Sequence, residues 1–154
     1  MKQNCTILWC KILQYDINYI HMNDNLNTTN TAGGKKVLLV EDEHDLRVLY
    51  AEILVEAGYE VDVAPDGDIA IDKIKNTDWN LLLLDIMLPG RDGMKILQDI
   101  KSTEGLKKGP IISLTNLSSE EIIKECFDNG ADGYLIKSEI TPDKIVEEVK
   151  NFLG

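Results

Sequence analysis

Five side chains placed at the ends of apolar runs carry the chemistry that this 154-residue sequence could perform. Glu41 and Asp42 follow the run Val37–Val40, Asp85 follows Leu81–Leu84, Thr115 follows Ile111–Leu114, and Lys137 follows Tyr134-Leu135-Ile136. Taken singly, an acid after a strand is usually a helix cap or a solvated loop residue, Thr115 an ordinary turn residue and Lys137 a surface lysine. Capping gives no reason for the combination. Three clustered carboxylates repel one another unless a cation joins them, and hard oxygen ligands select Mg²⁺ or Mn²⁺. Zinc is disfavoured, because neither histidine (His21, His44) ends a strand and no cysteine does. A divalent ion, a free carboxylate, an ammonium and a hydroxyl together suit a phosphoryl group. A carboxylate is then the nucleophile and becomes an acyl phosphate, while metal, Lys and hydroxyl offset the charge on the phosphoryl oxygens.

For these residues to meet, the strands must be parallel neighbours. VLLV, LLLL and IISL are short continuous apolar runs, the pattern of central parallel strands buried on both faces. Tyr59–Val63 alternates like a half-exposed edge strand, and Tyr134–Ile136 supplies a fifth strand. Helical patterns lie between them. Leu46, Leu49, Ile53 and Leu54 mark a first helix ended by Gly58, and Asp66 caps a second carrying Ile69, Ala70 and Ile74. Met94, Leu97 and Ile100 mark a third. Ser118 with Glu121 forms a capping box before Ile122, Ile123 and Cys126. Thr141-Pro142 opens the last helix, before Ile145, Val149 and Phe152. Five β–α units in sequence require an α/β fold with helices on both faces of a parallel sheet. Right-handed crossovers then deliver every strand's C-terminal end to one ligand-binding edge.

Composition excludes other classes. Acidic residues number 27 against 16 basic, a net charge of −11. Residues 1–36 hold four Lys and two Asp, so residues 37–154 carry 12 basic and 25 acidic groups, a net of −13. That surface would repel nucleic acid and anionic membranes. No apolar run reaches the roughly 20 residues of a membrane span. Three scattered cysteines suit neither a disulfide framework nor a metal site, so a reduced, cytoplasmic, soluble protein is expected. Residues 1–36 read as an N-terminal extension and linker that is poorly ordered, with Met22 an alternative start. Residues 37–154 read as one domain.

The motifs VLLVEDE (37–43), LLLLDIMLPGRDG (81–93), PIISLTN (110–116) and ADGYLIK (131–137) resemble the receiver domain of two-component response regulators. The resemblance spans residues 37–154, and Asp85, Pro89, Gly90, Asp92 and Gly93 form its most specific stretch. It implies a flavodoxin-like (βα)₅ three-layer sandwich with strand order 2-1-3-4-5. It further implies that Asp85 is the phosphoacceptor, that Glu41 and Asp42 with Asp85 and the Met87 backbone carbonyl hold Mg²⁺ (or Mn²⁺), and that Thr115 and Lys137 contact the phosphoryl group. Tyr134 would be a switch whose rotamer follows Thr115, remodelling the face made by the fourth helix, fifth strand and fifth helix. The implied donor is a sensor histidine kinase or histidine phosphotransfer protein. The output would be protein binding rather than direct DNA binding, by a single-domain, CheY-like monomer or weak homodimer. Phosphoryl transfer would be self-catalysed, so the chain is an enzyme only loosely.

Three features depart from the family pattern. Ser138 stands where a proline usually follows the lysine, so the Lys137–Ser138 peptide is expected to be trans or held in strain. Asn116 replaces a smaller residue. Met87 and Leu117 put apolar side chains beside the path of hydrolytic water, which predicts slow autodephosphorylation. Alternative functions are a non-phosphorylated interaction module, a flavin carrier, which Glu41-Asp42-Glu43 disfavours by repelling a phosphate, and a phosphatase, which lacks a second carboxylate two residues after Asp85.

Overall fold

The computed structural model describes residues 34–154. The expectations for the extension, the linker and Met22 lie outside these residues. Five strands, β1 (Lys36–Val40), β2 (Glu60–Ala64), β3 (Leu81–Asp85), β4 (Ile111–Thr115) and β5 (Gly133–Ile136), alternate with five α-helices. These are α1 (His44–Glu56), α2 (Gly67–Asn76), α3 (Gly93–Ser102), α4 (Glu120–Asp128) and α5 (Pro142–Leu153), with a single 3₁₀ turn at Lys137–Glu139. All strand pairs are parallel and their order is β2-β1-β3-β4-β5. The expected α/β architecture is present.

Continuous apolar strands explain the two-sided core. Leu38, Val40, Leu82, Leu84 and Ile111 project toward α2, α3 and α4, where Ile74, Ile96, Leu97 and Cys126 meet them. Val37, Leu39, Leu81, Leu83, Ile112 and Leu114 project to the other face, against Tyr50 and Leu54 of α1 and Ile145 and Val149 of α5. Edge strand β2 keeps Glu60 and Asp62 partly exposed and Val61 buried, as its alternation predicts, while Val63 at the sheet edge is only half-buried. Trp79, buried beneath α2, donates its indole N–H to the Ile74 carbonyl, so its polar atom is satisfied as burial demands.

Four helices start with side-chain caps. Asp66 accepts from the amides of Asp68 and Ile69, Asp92 from Met94, and Thr141 from Lys144 ahead of Pro142. For α4 the cap is Ser119, accepting from Ile122, rather than Ser118. Both serines are chemically able to cap, and the loop after Thr115 sets which one meets the helix. Two apolar positions also differ from expectation: Leu49 and Ile69 are exposed, while Tyr50 and Ile71 take the inward positions. Gly58, at φ +93°, terminates α1 as expected, a conformation that costs a residue with a Cβ.

Candidate functional site

The sheet order delivers the acids to one another. β1 and β3 are neighbours in register Val40↔Leu84, so Glu41 and Asp85 leave adjacent strands side by side. Carboxylate oxygens of Glu41, Asp42 and Asp85 all lie within 4.8 Å of one another, Glu41 and Asp85 buried and Asp42 exposed. Lys137 arrives from β5, two strands away, at the start of the 3₁₀ turn. Its ammonium sits 2.6 Å from Asp85 Oδ2 and straddles the Glu41 carboxylate, 2.8 Å from Oε1 and 2.7 Å from Oε2. Only the Oε1 contact is aligned as a hydrogen bond, which leaves the buried Oε2 atom without one. The Lys137 side chain is only 6% exposed. There is no cis peptide bond among the described residues, so Lys137–Ser138 is trans, and a serine in this position does not keep the lysine from the acids.

The electrostatics follow from one ammonium serving two buried carboxylates. Burial pulls the Lys137 pKa down, but hydrogen bonds to Asp85 and Glu41, backed by their charges, lift it above its ordinary 10.5. Burial pushes the Glu41 carboxyl above its ordinary 4.5, the Lys137 hydrogen bond opposes this, and the Asp85 charge adds to it. The cluster stays short of positive charge. Three carboxylates, one of them with an orphaned buried oxygen, make a donor set that fits a hard divalent cation and offers no nitrogen or sulfur for a softer one.

The remaining expected residues occupy distinct places. The Met87 amide donates to Asp85 Oδ1 at 2.8 Å, fixing the rotation of that carboxylate. Thr115 ends β4, beside β3, and is fully buried. Its hydroxyl accepts the Leu117 amide at 3.0 Å and stands 3.4 Å from the Leu117 carbonyl. Tyr134 lies apart from the acids, at β5's edge, 38% exposed and edge-on to Phe127 with ring centroids 5.9 Å apart. With Phe152, Glu139, Lys144 and Glu148 it lines a groove between α4 and α5. Met87, two residues after Asp85, and Leu117, two residues after Thr115, are exposed, at 57% and 40%.

Two further residues shape the site without carrying its chemistry: Arg47, which the sequence reading did not single out, and Gly93, which it named only as part of the family motif. Arg47, in the first turn of α1, donates from one nitrogen to the carbonyls of Glu41 (2.8 Å) and Asp42 (3.0 Å). Gly93 opens α3 so close to β3 that a Cβ there would lie 2.2 Å from the Asp85 carbonyl oxygen.

Comparison with known proteins agrees with this geometry. A family model described as the response regulator receiver domain matches residues 37–150. The chemotaxis protein CheY of Halobacterium salinarum is 38% identical over 103 residues, covering 67% of this chain and 84% of that protein. The transcriptional regulatory protein ResD of Bacillus subtilis is 36% identical over 118 residues, 77% of this chain but 48% of ResD. A gliding motility regulatory protein of Myxococcus xanthus is 32% identical over 114 residues, and the chain spans only 15% of its length. The crystallised chemotaxis protein CheY4 of Vibrio cholerae superposes with a TM-score of 0.72 at 29% identity, over 78% of this chain and 99% of that one. With the sheet order, the acidic cluster and the matched span in agreement, the chain belongs to the response regulator receiver domain family of two-component signalling and has its CheY-like, flavodoxin-like fold.

Proposed function

We propose that this chain is a phosphoacceptor, taking a phosphoryl group onto Asp85 from a phosphohistidine on a histidine kinase or histidine phosphotransfer protein. The observation that carries this reading is the Lys137 ammonium 2.6 Å from Asp85 Oδ2, inside a cluster of three carboxylates. Glu41, Asp42, Asp85 and the Met87 backbone carbonyl would hold Mg²⁺ or Mn²⁺. Bound there, the ion would neutralise charge on the phosphoryl oxygens.

The chain's own groups do the rest. An Asp85 oxygen attacks phosphorus, the O–P bond forms as the donor's N–P bond breaks, and the imidazole leaves and takes a proton from water. The Met87 amide holds the Asp85 carboxylate in orientation during attack. Lys137, already beside Asp85, gives one of its N–H bonds to a phosphoryl oxygen. Thr115 exchanges its Leu117 contacts for another oxygen, and Tyr134 turns away from Phe127 to follow it. Phosphorylation brings about −1.5 to −2 charges and three acceptor oxygens, and the different contacts of two packings with that group shift the population between them. The groove between α4 and α5 is thereby reshaped for a downstream protein, with the chain acting as a monomer or weak homodimer in the cytoplasm.

Incubation with Mg²⁺ and acetyl phosphate, followed by intact mass measurement, tests this. A gain of about 80 Da, labile to hydroxylamine and absent from Asp85→Asn and from EDTA-treated protein, is expected. An unmodified mass under all conditions, including with a phosphohistidine donor, would leave the non-phosphorylated interaction module as the better reading.

A further inference from the structure

We propose that Arg47 is a positioning residue for the cation site, holding the β1–α1 loop so that the Asp42 carboxylate stays aimed at Asp85; this rests on the metal-binding reading above. Three observations carry it. First, the Asp42 carboxylate is exposed and makes no hydrogen bond or ion pair with any described residue, so its place beside Asp85 depends on where the backbone puts its Cα and Cβ. Second, the two carbonyls of that backbone are held by one group: Arg47 Nη1 donates to the Glu41 carbonyl at 2.8 Å and to the Asp42 carbonyl at 3.0 Å, fixing two successive peptide planes. Third, α1 alone among the five described α-helices begins without a side-chain cap, its N-cap Glu43 making none. In the other four, the capping side chain anchors the incoming loop. Here the anchor comes from the opposite direction, from the helix's first turn back to the loop. A second staple, from the Glu43 amide to Glu41 Oε1 at 3.2 Å, closes the loop from the other side.

Arg47 stands among Glu41, Asp42 and Glu43 yet pairs with none of these carboxylates through the contacts it makes; its hydrogen bonds go to carbonyls. This gives the idea a sign that a charge effect does not share. A guanidinium beside a divalent cation repels it, so if Arg47 acted only through its charge, removing it would tighten cation binding. If it acts by positioning, removing it loosens binding despite the lost repulsion.

The test uses the full chain with Mn²⁺ as the probe, its free concentration followed by electron paramagnetic resonance, and amide exchange of Glu43 measured in the metal-free protein. Arg47→Met is expected to weaken Mn²⁺ binding about tenfold, in line with the loss of other groups that orient ligands from behind. It should also speed Glu43 exchange, while amides in β3 stay protected. Arg47→Lys keeps the charge and part of the reach, so it should recover part of the affinity. It also carries the test if the Met variant fails to fold. Unchanged or tighter Mn²⁺ binding in Arg47→Met, or unchanged Glu43 exchange, overturns the proposal. A wild-type chain that binds no Mn²⁺ would instead sink the metal reading, and the exchange measurement would still decide whether Arg47 holds the loop.

Discussion

Lys137 is the residue on which the site's charge balance turns: one ammonium pairs with two buried carboxylates and leaves the third, Asp42, facing water. Removing one partner of such a buried set strands the others, which is why the site is costly to maintain and is best explained by chemistry rather than by stability. The residues around Asp85 set a second property. Met87 and Leu117 are exposed and apolar, so neither can orient an attacking water toward an acyl phosphate. A long-lived phosphoryl group is therefore expected. Replacing both residues, Met87→Asn with Leu117→Glu, should shorten its lifetime about tenfold or more, judged by loss of the mass increment after acetyl phosphate is removed. An unchanged decay would show that water access is controlled elsewhere. Much of this scale was legible beforehand, because Glu41, Asp42, Asp85, Thr115 and Lys137 announce themselves by type and by place after a strand. Arg47 did not, since a side chain that acts on carbonyls leaves no paired acid or spacing to read.

At the scale of elements, the tight seat of α3 on β3 matters most. A Cβ at Gly93 would lie 2.2 Å from the Asp85 carbonyl oxygen and 2.7 Å from Ile86 Cα, both backbone atoms that cannot swing aside. Gly93→Ala should therefore destabilise the fold by about 1–3 kcal/mol or more. It should also slow acetyl phosphate labelling, because the helix start can only retreat by dragging the Asp85 segment. Urea titration checks the first outcome and timed mass spectrometry the second. The strands were readable because LLLL, VLLV and IISL are apolar without interruption, which only a sheet covered on both faces explains. Helix faces were less so. Leu49 looked inward by hydropathy, yet Tyr50, one turn from Leu46 and Leu54, holds the buried place. Its ring supplies the apolar area there, and hydropathy counts only its hydroxyl against it. The one-residue shift from Ser118 to Ser119 has a similar origin, because loop geometry rather than residue type chooses between two serines.

For the molecule as a whole, Cys126, Tyr50 and Lys137 bias stability the same way at high pH. Burial raises the Cys126 thiol above 9.0 and the Tyr50 hydroxyl above 10.0, and the two carboxylates hold Lys137 above 10.5 against its own burial. In each case the folded state keeps a proton that the unfolded chain releases, so stability is full below the unfolded value and falls as pH climbs through the folded one. Glu41 adds the same slope in the acid range above 4.5. Unfolding midpoints in urea should therefore drop progressively above about pH 9, and Cys126→Ala should remove the earliest part of that decline. Retained stability at pH 10.5 would contradict it. One contact gives the architecture a last consequence. Lys35, just before β1, donates to the Leu153 carbonyl at the close of α5 at 2.9 Å, on the pole opposite the carboxylates. The two ends of the folded unit thus meet about one strand length, roughly 16 Å, from the reactive edge. The unit is shaped like a plug-in cassette: a fluorescent protein or sensor module joined next to Lys35 or Leu153 would sit behind it, with the carboxylate edge left clear.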